Sequence, residues 1–129
     1  MATVKINGDI VRNEDKWIYD WFDMEATCPK DVTAAVEGAK DGEEIEVLIN
    51  SGGGDVLAGQ EIYTTLLGKD NVTIKIQSLA GSAAGVVAMA GKSQISPVAM
   101  LMIHNVSMCG ASGDYHDMQK NAEILKQMN

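Results

Sequence analysis

Short β-branched runs alternate with segments of helical period along this chain, and no other feature restricts its folding more. Ile45-Glu46-Val47-Leu48-Ile49 and Val72-Thr73-Ile74-Lys75-Ile76 read as strands. Between them a helix is expected from about Val56 to Leu67, with Gly59, Ile62, Tyr63, Leu66 and Leu67 on its inner stripe and Gly68 ending it. Upstream, Val4-Lys5-Ile6 is a short strand and Asn7-Gly8-Asp9 a turn. A helix is expected from Pro29 to Lys40, with Val32, Ala35, Val36 and Ala39 on one face. Downstream, a short helix of small residues runs from Ser82 to Ala90. Strands follow at Gln94–Ser96 and Ala99–Ile103, around a Ser96-Pro97 break, and a last helix runs from about Gly113 to Gln127. Strand, helix, strand, helix, strand is the signature of parallel strands joined by crossovers, so the expectation is one layered α/β domain over residues 1–129.

Composition narrows the function. At 46% apolar residues the chain can build a core, and 22% charged residues argue against wholesale disorder. A formal charge of −8 repels phosphate backbones and anionic membrane surfaces, so neither nucleic acid nor membrane is an expected partner. No stretch reaches the roughly 20 apolar residues that span a bilayer. Met1-Ala2-Thr3-Val4-Lys5-Ile6 lacks the pattern of a signal peptide, and a soluble, cytoplasmic protein is expected. Cys28 and Cys109 share no metal-ligand spacing with each other or with a histidine pair, so no metal site is expected and both read as buried, reduced thiols.

Charge is unevenly spread. Fourteen of the eighteen acids lie at or before Glu61, whereas Lys92 is the one charged residue between Ile76 and Gly113. That second stretch, rich in Gly, Ala, Ser and Met, is expected to be buried on both faces. By pattern Met89, Met100 and Met102 fill the core, and Met108 could line a groove. Trp17, Tyr19, Trp21 and Phe22 cluster near the N-terminus, as a local core or a subunit contact, with a ligand box as the competing reading.

Chemistry could sit at two strand-to-helix junctions. In Asn50-Ser51-Gly52-Gly53-Gly54-Asp55 successive glycines free backbone N–H groups to face an anion or oxyanion; a tight turn without function is the competing reading. Neither the Walker pattern nor the dinucleotide fingerprint is present. In Ala80-Gly81-Ser82-Ala83-Ala84 the serine leaves a strand's carboxyl end, with its own N–H and that of Ala83 at a helix start; a small packing residue or helix cap is the alternative. Its glycines do not match the Gly-x-Ser-x-Gly elbow. A serine nucleophile needs a base, and only two histidines exist. His104 ends a strand, near Ser82 if the two strands are neighbours, although a structural imidazole would look the same in sequence. His116 lies among Asp114, Tyr115 and Asp117 on a solvated face.

Together, Ile49-Asn50-Ser51-Gly52-Gly53-Gly54-Asp55-Val56, then Gly59 and Ile62-Tyr63, then Ala80-Gly81-Ser82-Ala83-Ala84, then Met102-Ile103-His104-Asn105 resemble the Clp peptidase family. The pattern is most similar to its phage and prophage head-maturation branch. The resemblance covers residues 45–104 well and the flanks loosely. It implies the β/α spiral core shared with the crotonases, Ser-His-Asp catalysis without cofactor or metal, a peptide or protein substrate, and a homo-oligomeric ring enclosing the sites. It assigns Ser82 as nucleophile, His104 as general base, and the N–H groups of Gly54 and Ala83 as the oxyanion hole. A substrate strand would lie along Gly52, Gly53, Asp55 and Val56.

Departures are mild at Gly52, where the family has proline, and at Ser78, Gly81 and Ala83. The resemblance places the family aspartate and most of the handle region that joins two rings beyond Asn129. Either the chain is a truncated form, expected to be nearly inert by itself, or it works without a family-type acid. With no recognisable N-terminal axial segment, an ATPase partner is not expected. Two other functions fit the fold: an acyl-CoA hydratase or isomerase of crotonase type, and a non-catalytic oligomeric scaffold for assembly.

Overall fold

The computed structural model describes residues 1–104 and 113–129. Asn105, Met108 and Cys109, which carry expectations above, lie outside the described residues. In chain order the elements are β1 (Ala2–Ile10), α1 (Lys16–Trp21), β2 (Ala26–Thr27), α2 (Pro29–Glu37), β3 (Ile45–Gly54), α3 (Val56–Leu66), β4 (Val72–Gly81), α4 (Ala83–Ala88), β5 (Lys92–Ile95), β6 (Met100–Met102) and α5 (Tyr115–Met128), with a 3₁₀ turn at Asn13–Asp15. The strands form one sheet in the order β2-β1-β3-β4-β5, with β6 also on β4, and every pairing is parallel. The chain is thus a single mixed α/β domain, as the alternation of patterns implies.

The sheet is greasy on one face. Along β3 the buried residues alternate, Ile45, Val47, Ile49, Ser51 and Gly53, and β4 repeats this with Val72, Ile74 and Ile76. Val32 of α2, Ile62 and Leu66 of α3, and Val87 of α4 pack on that face and are at most 1% exposed. Each such aliphatic side chain contributes about 1.5–3 kcal/mol of burial. The opposite face carries polar residues instead. There Lys75 Nζ lies 2.8 Å from Glu46 Oε2 across β3 and β4. A parallel sheet normally lies covered on both sides; among the described residues this one is covered on one.

That half-cover overturns part of the sequence reading. β5 and β6 are exposed throughout, and Met89, Met100 and Met102 are 55%, 62% and 43% exposed rather than core-filling. Their apolar pattern marks a surface on which no described element packs. Leu67 also leaves the expected stripe: it caps α3 in an extended conformation and is half exposed. Trp17, Trp21 and Phe22 are 65%, 79% and 67% exposed, so they form no local core. They stand on or beside α1, whose two turns, like the two-residue β2, are too short to give a periodic signal.

Two expected turns are strand. Asn7-Gly8-Asp9 continues β1 through a register shift, with Gly8 at φ +68° and the Thr27 hydroxyl holding the Asn7 N–H and C=O at 3.1 and 3.0 Å. The triple glycine likewise stays in β3, because Gly53 and Gly54 pair with Asp9 and Ile10 of β1. β4 runs to Gly81, past the expected end at Ile76, through a second shift where the Ser78 hydroxyl donates to Asn50 Oδ1.

Cys28 is buried and caps α2 with Asp31, as its sulfur accepts from the Asp31 N–H and its own N–H donates to Asp31 Oδ2. Desolvation raises its pKa, which lowers the thiolate fraction near neutral pH. Iodoacetamide, read by peptide mass, is therefore expected to modify Cys28 slowly in the native protein and rapidly in urea. Ile62→Ala is expected to cost about 2–5 kcal/mol in urea unfolding, and Leu67→Ala much less.

Candidate active site

β4 leads directly into Ser82, the candidate nucleophile, and is long enough to bind two strands in succession along one edge. Its first part pairs with β5, from Thr73–Lys92 to Ile76–Ile95, and its last part with β6, from Leu79–Met100 to Gly81–Met102. The Ser96-Pro97 break makes the step between them: the Ser96 N–H donates to the Ile76 carbonyl and the Ala99 N–H to the Ser96 carbonyl. β6 therefore reaches the carboxyl end of β4, where Ser82 follows Gly81.

Ser82 lies outside the helix expected to contain it. It is the N-cap of α4 at φ +53°, ψ −121°, a region that L-residues avoid at a cost of about 1–3 kcal/mol. Its N–H donates to the Met102 carbonyl at 2.8 Å, and its carbonyl accepts from the N–H groups of Gly85 and Val86. The Ser82 N–H is thus not available to an oxyanion, contrary to one expectation from sequence; the Ala83 backbone nitrogen lies beside Gly53, 3.1 Å from where a Cβ there would sit. His104 comes two residues after the carbonyl that anchors Ser82, a span of at most about 7 Å. Both side chains open on one cavity of about 230 Å³, lined also by Val56, Gly59, Ala83 and Val86.

The glycines admit this arrangement. A Cβ on Gly53, at φ +104°, would lie 2.7 Å from both the Gly81 carbonyl oxygen and Ser82 Cβ; one on Gly59 would lie 2.9 Å from Ala83 Cβ. Pairing of β3 with β4 ends at Ser51–Ala80, while pairing with β1 continues to Gly54. Of the residues expected along the substrate, Val56 shares the Ser82 cavity. Gly54 and Asp55 line a different depression, with Ile10, Arg12 and Tyr19, and Gly52 and Gly53 pack beneath Ser82 and Gly81. The Asp55 carboxylate caps α3 through the Ala58 N–H, and its own N–H donates to the Ile10 carbonyl.

Among the described residues, no aspartate or glutamate lines the Ser82–His104 cavity. Asp114 and Asp117 cap the start of α5 by accepting each other's backbone N–H at 3.0 Å. Met128 and Asn129, at the far end of that helix, line the cavity, about 20 Å away along its axis. His116 is exposed and stacks edge-on with Tyr115. Among the described residues no three His, Cys, Asp or Glu side chains are grouped as metal ligands. Sequence reasoning passed over two contributors, Met102 through its carbonyl and Ser51 through its hydroxyl. A carbonyl carries no residue-type signal, and Ser51 was visible only as part of a motif.

The family model described as Clp protease matches residues 25–129. The chain belongs to the Clp protease family. Over 92 residues it is 36% identical to "ATP-dependent Clp protease proteolytic subunit" proteins of Bacteroides fragilis and Bacteroides thetaiotaomicron. That alignment covers 67% of this chain but only 44% or 41% of the relatives, so the chain spans less than half their length. Within this Clp-type domain the glycine contacts separate two neighbouring positions. Gly53→Ala is expected to lose about 1–3 kcal/mol in urea unfolding, through strain and backbone overlap. Gly52→Ala, whose Cβ would meet only Leu79 Cδ2 at 3.9 Å, is expected to match the parent protein.

Proposed function

We propose that this chain carries the nucleophile, base and oxyanion donors of a Clp-type serine endopeptidase. One observation carries the reading: a serine held at positive φ shares a cavity with the histidine two residues beyond the carbonyl that anchors it. In this mechanism His104 takes the Ser82 Oγ proton as the oxygen attacks a peptide carbonyl. The Gly54 and Ala83 N–H groups hold the resulting oxyanion, and His104 then protonates the departing amine. Water hydrolyses the acyl-enzyme by the same route, with His104 again as base. A substrate strand would run along the β3 edge from Gly52 to Val56.

Finer parts of the proposal rest on the motif pattern and on the surface. The head-maturation branch, and with it capsid-assembly substrates in a cytoplasmic setting, follows from the resemblance of the motifs. A homo-oligomeric ring is supported by the exposed Trp17, Trp21 and Phe22 and the bare β5–β6 surface. No helix among the described residues is long and apolar enough to cross a membrane. The relatives' names include "ATP-dependent"; an ATPase partner is not part of the proposal.

Among the described residues no Asp or Glu lines the cavity, so the reading assigns no third triad member; a triad without its acid turns over about 10⁴-fold more slowly. Two other readings stand beside the peptidase: a non-catalytic oligomeric scaffold, and a crotonase, for which measurable coenzyme A affinity would be required. A fluorophosphonate probe distinguishes these, because phosphonylation needs the activated serine and the oxyanion donors but no turnover. Mass mapping is expected to find the adduct on Ser82, with none in Ser82→Ala and labelling about 10²–10⁴-fold slower in His104→Ala. Equal labelling of Ser82→Ala, or an unchanged rate in His104→Ala, overturns the peptidase reading.

A further inference from the structure

Thr27 and Ser51 are the buried polar residues among the described part of the chain, at 4% and 3% exposure, and both sit at the irregular ends of strands. Thr27 closes the β1–β2 side. Ser51 works on the other side of β1, next to the glycine run. Its Oγ donates to the Gly8 carbonyl at 2.6 Å and accepts from the Gly53 N–H at 3.1 Å. The hydroxyl therefore ties the β1 register shift to the end of β3 that packs under Ser82.

The consequence falls on one peptide group. The unit joining Gly52 to Gly53 is pinned through its N–H by Ser51, and the unit joining Gly54 to Asp55 is pinned through its N–H by the Ile10 carbonyl at 2.8 Å. Between them lies the Gly53–Gly54 unit, which carries the Gly54 N–H. Its flanking dihedrals belong to two glycines at φ +104° and +151°, the residue type with least intrinsic preference to keep a peptide plane from turning. Fixing both neighbours fixes that plane.

We infer that Ser51 is a positioning residue that holds the Gly54 N–H in place as an oxyanion donor, acting through Gly53. The inference rests on the serine-peptidase reading of Ser82. Preorganised donors matter because charge develops only in the transition state, and a donor that must first reorient loses much of its effect. A hydroxyl is required here, since the role needs a donor and an acceptor on one small buried atom.

The test compares kinact and KI for fluorophosphonate labelling of Ser82 in the parent chain, Ser51→Ala, Ser51→Cys and Thr27→Val, alongside urea unfolding. Thr27→Val removes the other buried hydroxyl without touching the glycine run, and so reports what a purely structural loss does. Ser51→Cys keeps the shape with a weak donor and serves if Ser51→Ala fails to fold. The expected result is a kinact about 10²-fold lower in the folded Ser51 variants with KI unchanged, whereas Thr27→Val loses stability and keeps the parent kinact. Parent-like kinact in a folded Ser51 variant, or an equal fall in Thr27→Val, overturns the inference while leaving Ser82 as nucleophile. A parent chain that takes up no probe at Ser82 removes the peptidase reading, and this inference with it.

Discussion

The hydrogen bond from the Ser82 N–H to the Met102 carbonyl is the contact on which the site depends. It joins the last residue of β6 to the residue that leaves β4, and so fixes serine and histidine relative to each other through backbone alone. Side-chain contacts could not do this as well, because each would add rotamers to be frozen. The bond also holds Ser82 at positive φ, a conformation an isolated serine would leave. Strain of that kind persists only where neighbours over-determine it. Here β6, the start of α4 and the underside of β3 do so together.

Polar chemistry at the strand ends is organised by the same logic. Where the interior is aliphatic, through Ile6, Ile49, Ile62 and Ile74, the strands are regular. Where the strands must carry function, regularity gives way to register shifts, glycines at positive φ and buried hydroxyls that satisfy the freed backbone groups. Thr27 and Ser51 each answer more than one backbone group, which keeps unpaired N–H and C=O groups out of the core. The irregularity is thereby concentrated at the carboxyl ends of β1, β3 and β4, the end of a parallel sheet where ligands bind.

The open face of the sheet connects this geometry to the family. A parallel sheet with one covered face and a bare β5–β6 edge presents apolar surface that isolated domains usually hide. The relatives are more than twice as long as the aligned segment, and the exposed aromatic residues around α1 lie on the opposite flank, beside β2. Both are surfaces on which no described element packs.

Sequence alone determined the alternation of strands and helices, the glycine run, and the placing of Ser82 and His104 at strand ends, since periodicity and residue type are local properties. It could not show that β4 extends through Gln77 to Gly81, because that segment lacks the β-branched signal and is strand through its pairing with β6 and, at Ala80, with β3. Nor could it show that Met100 and Met102 face outward: apolar pattern reports a preference for cover, not whether any element supplies it. Asp114 and Asp117 read in sequence only as part of a solvated face around His116, and the folded helix shows their carboxylates engaged in capping the start of α5. Tertiary structure decided which strand edges meet, and therefore which backbone N–H groups are consumed by neighbours and which remain to act. Hydrogen-bond partners across a parallel sheet come from distant parts of the chain, and no local pattern encodes them.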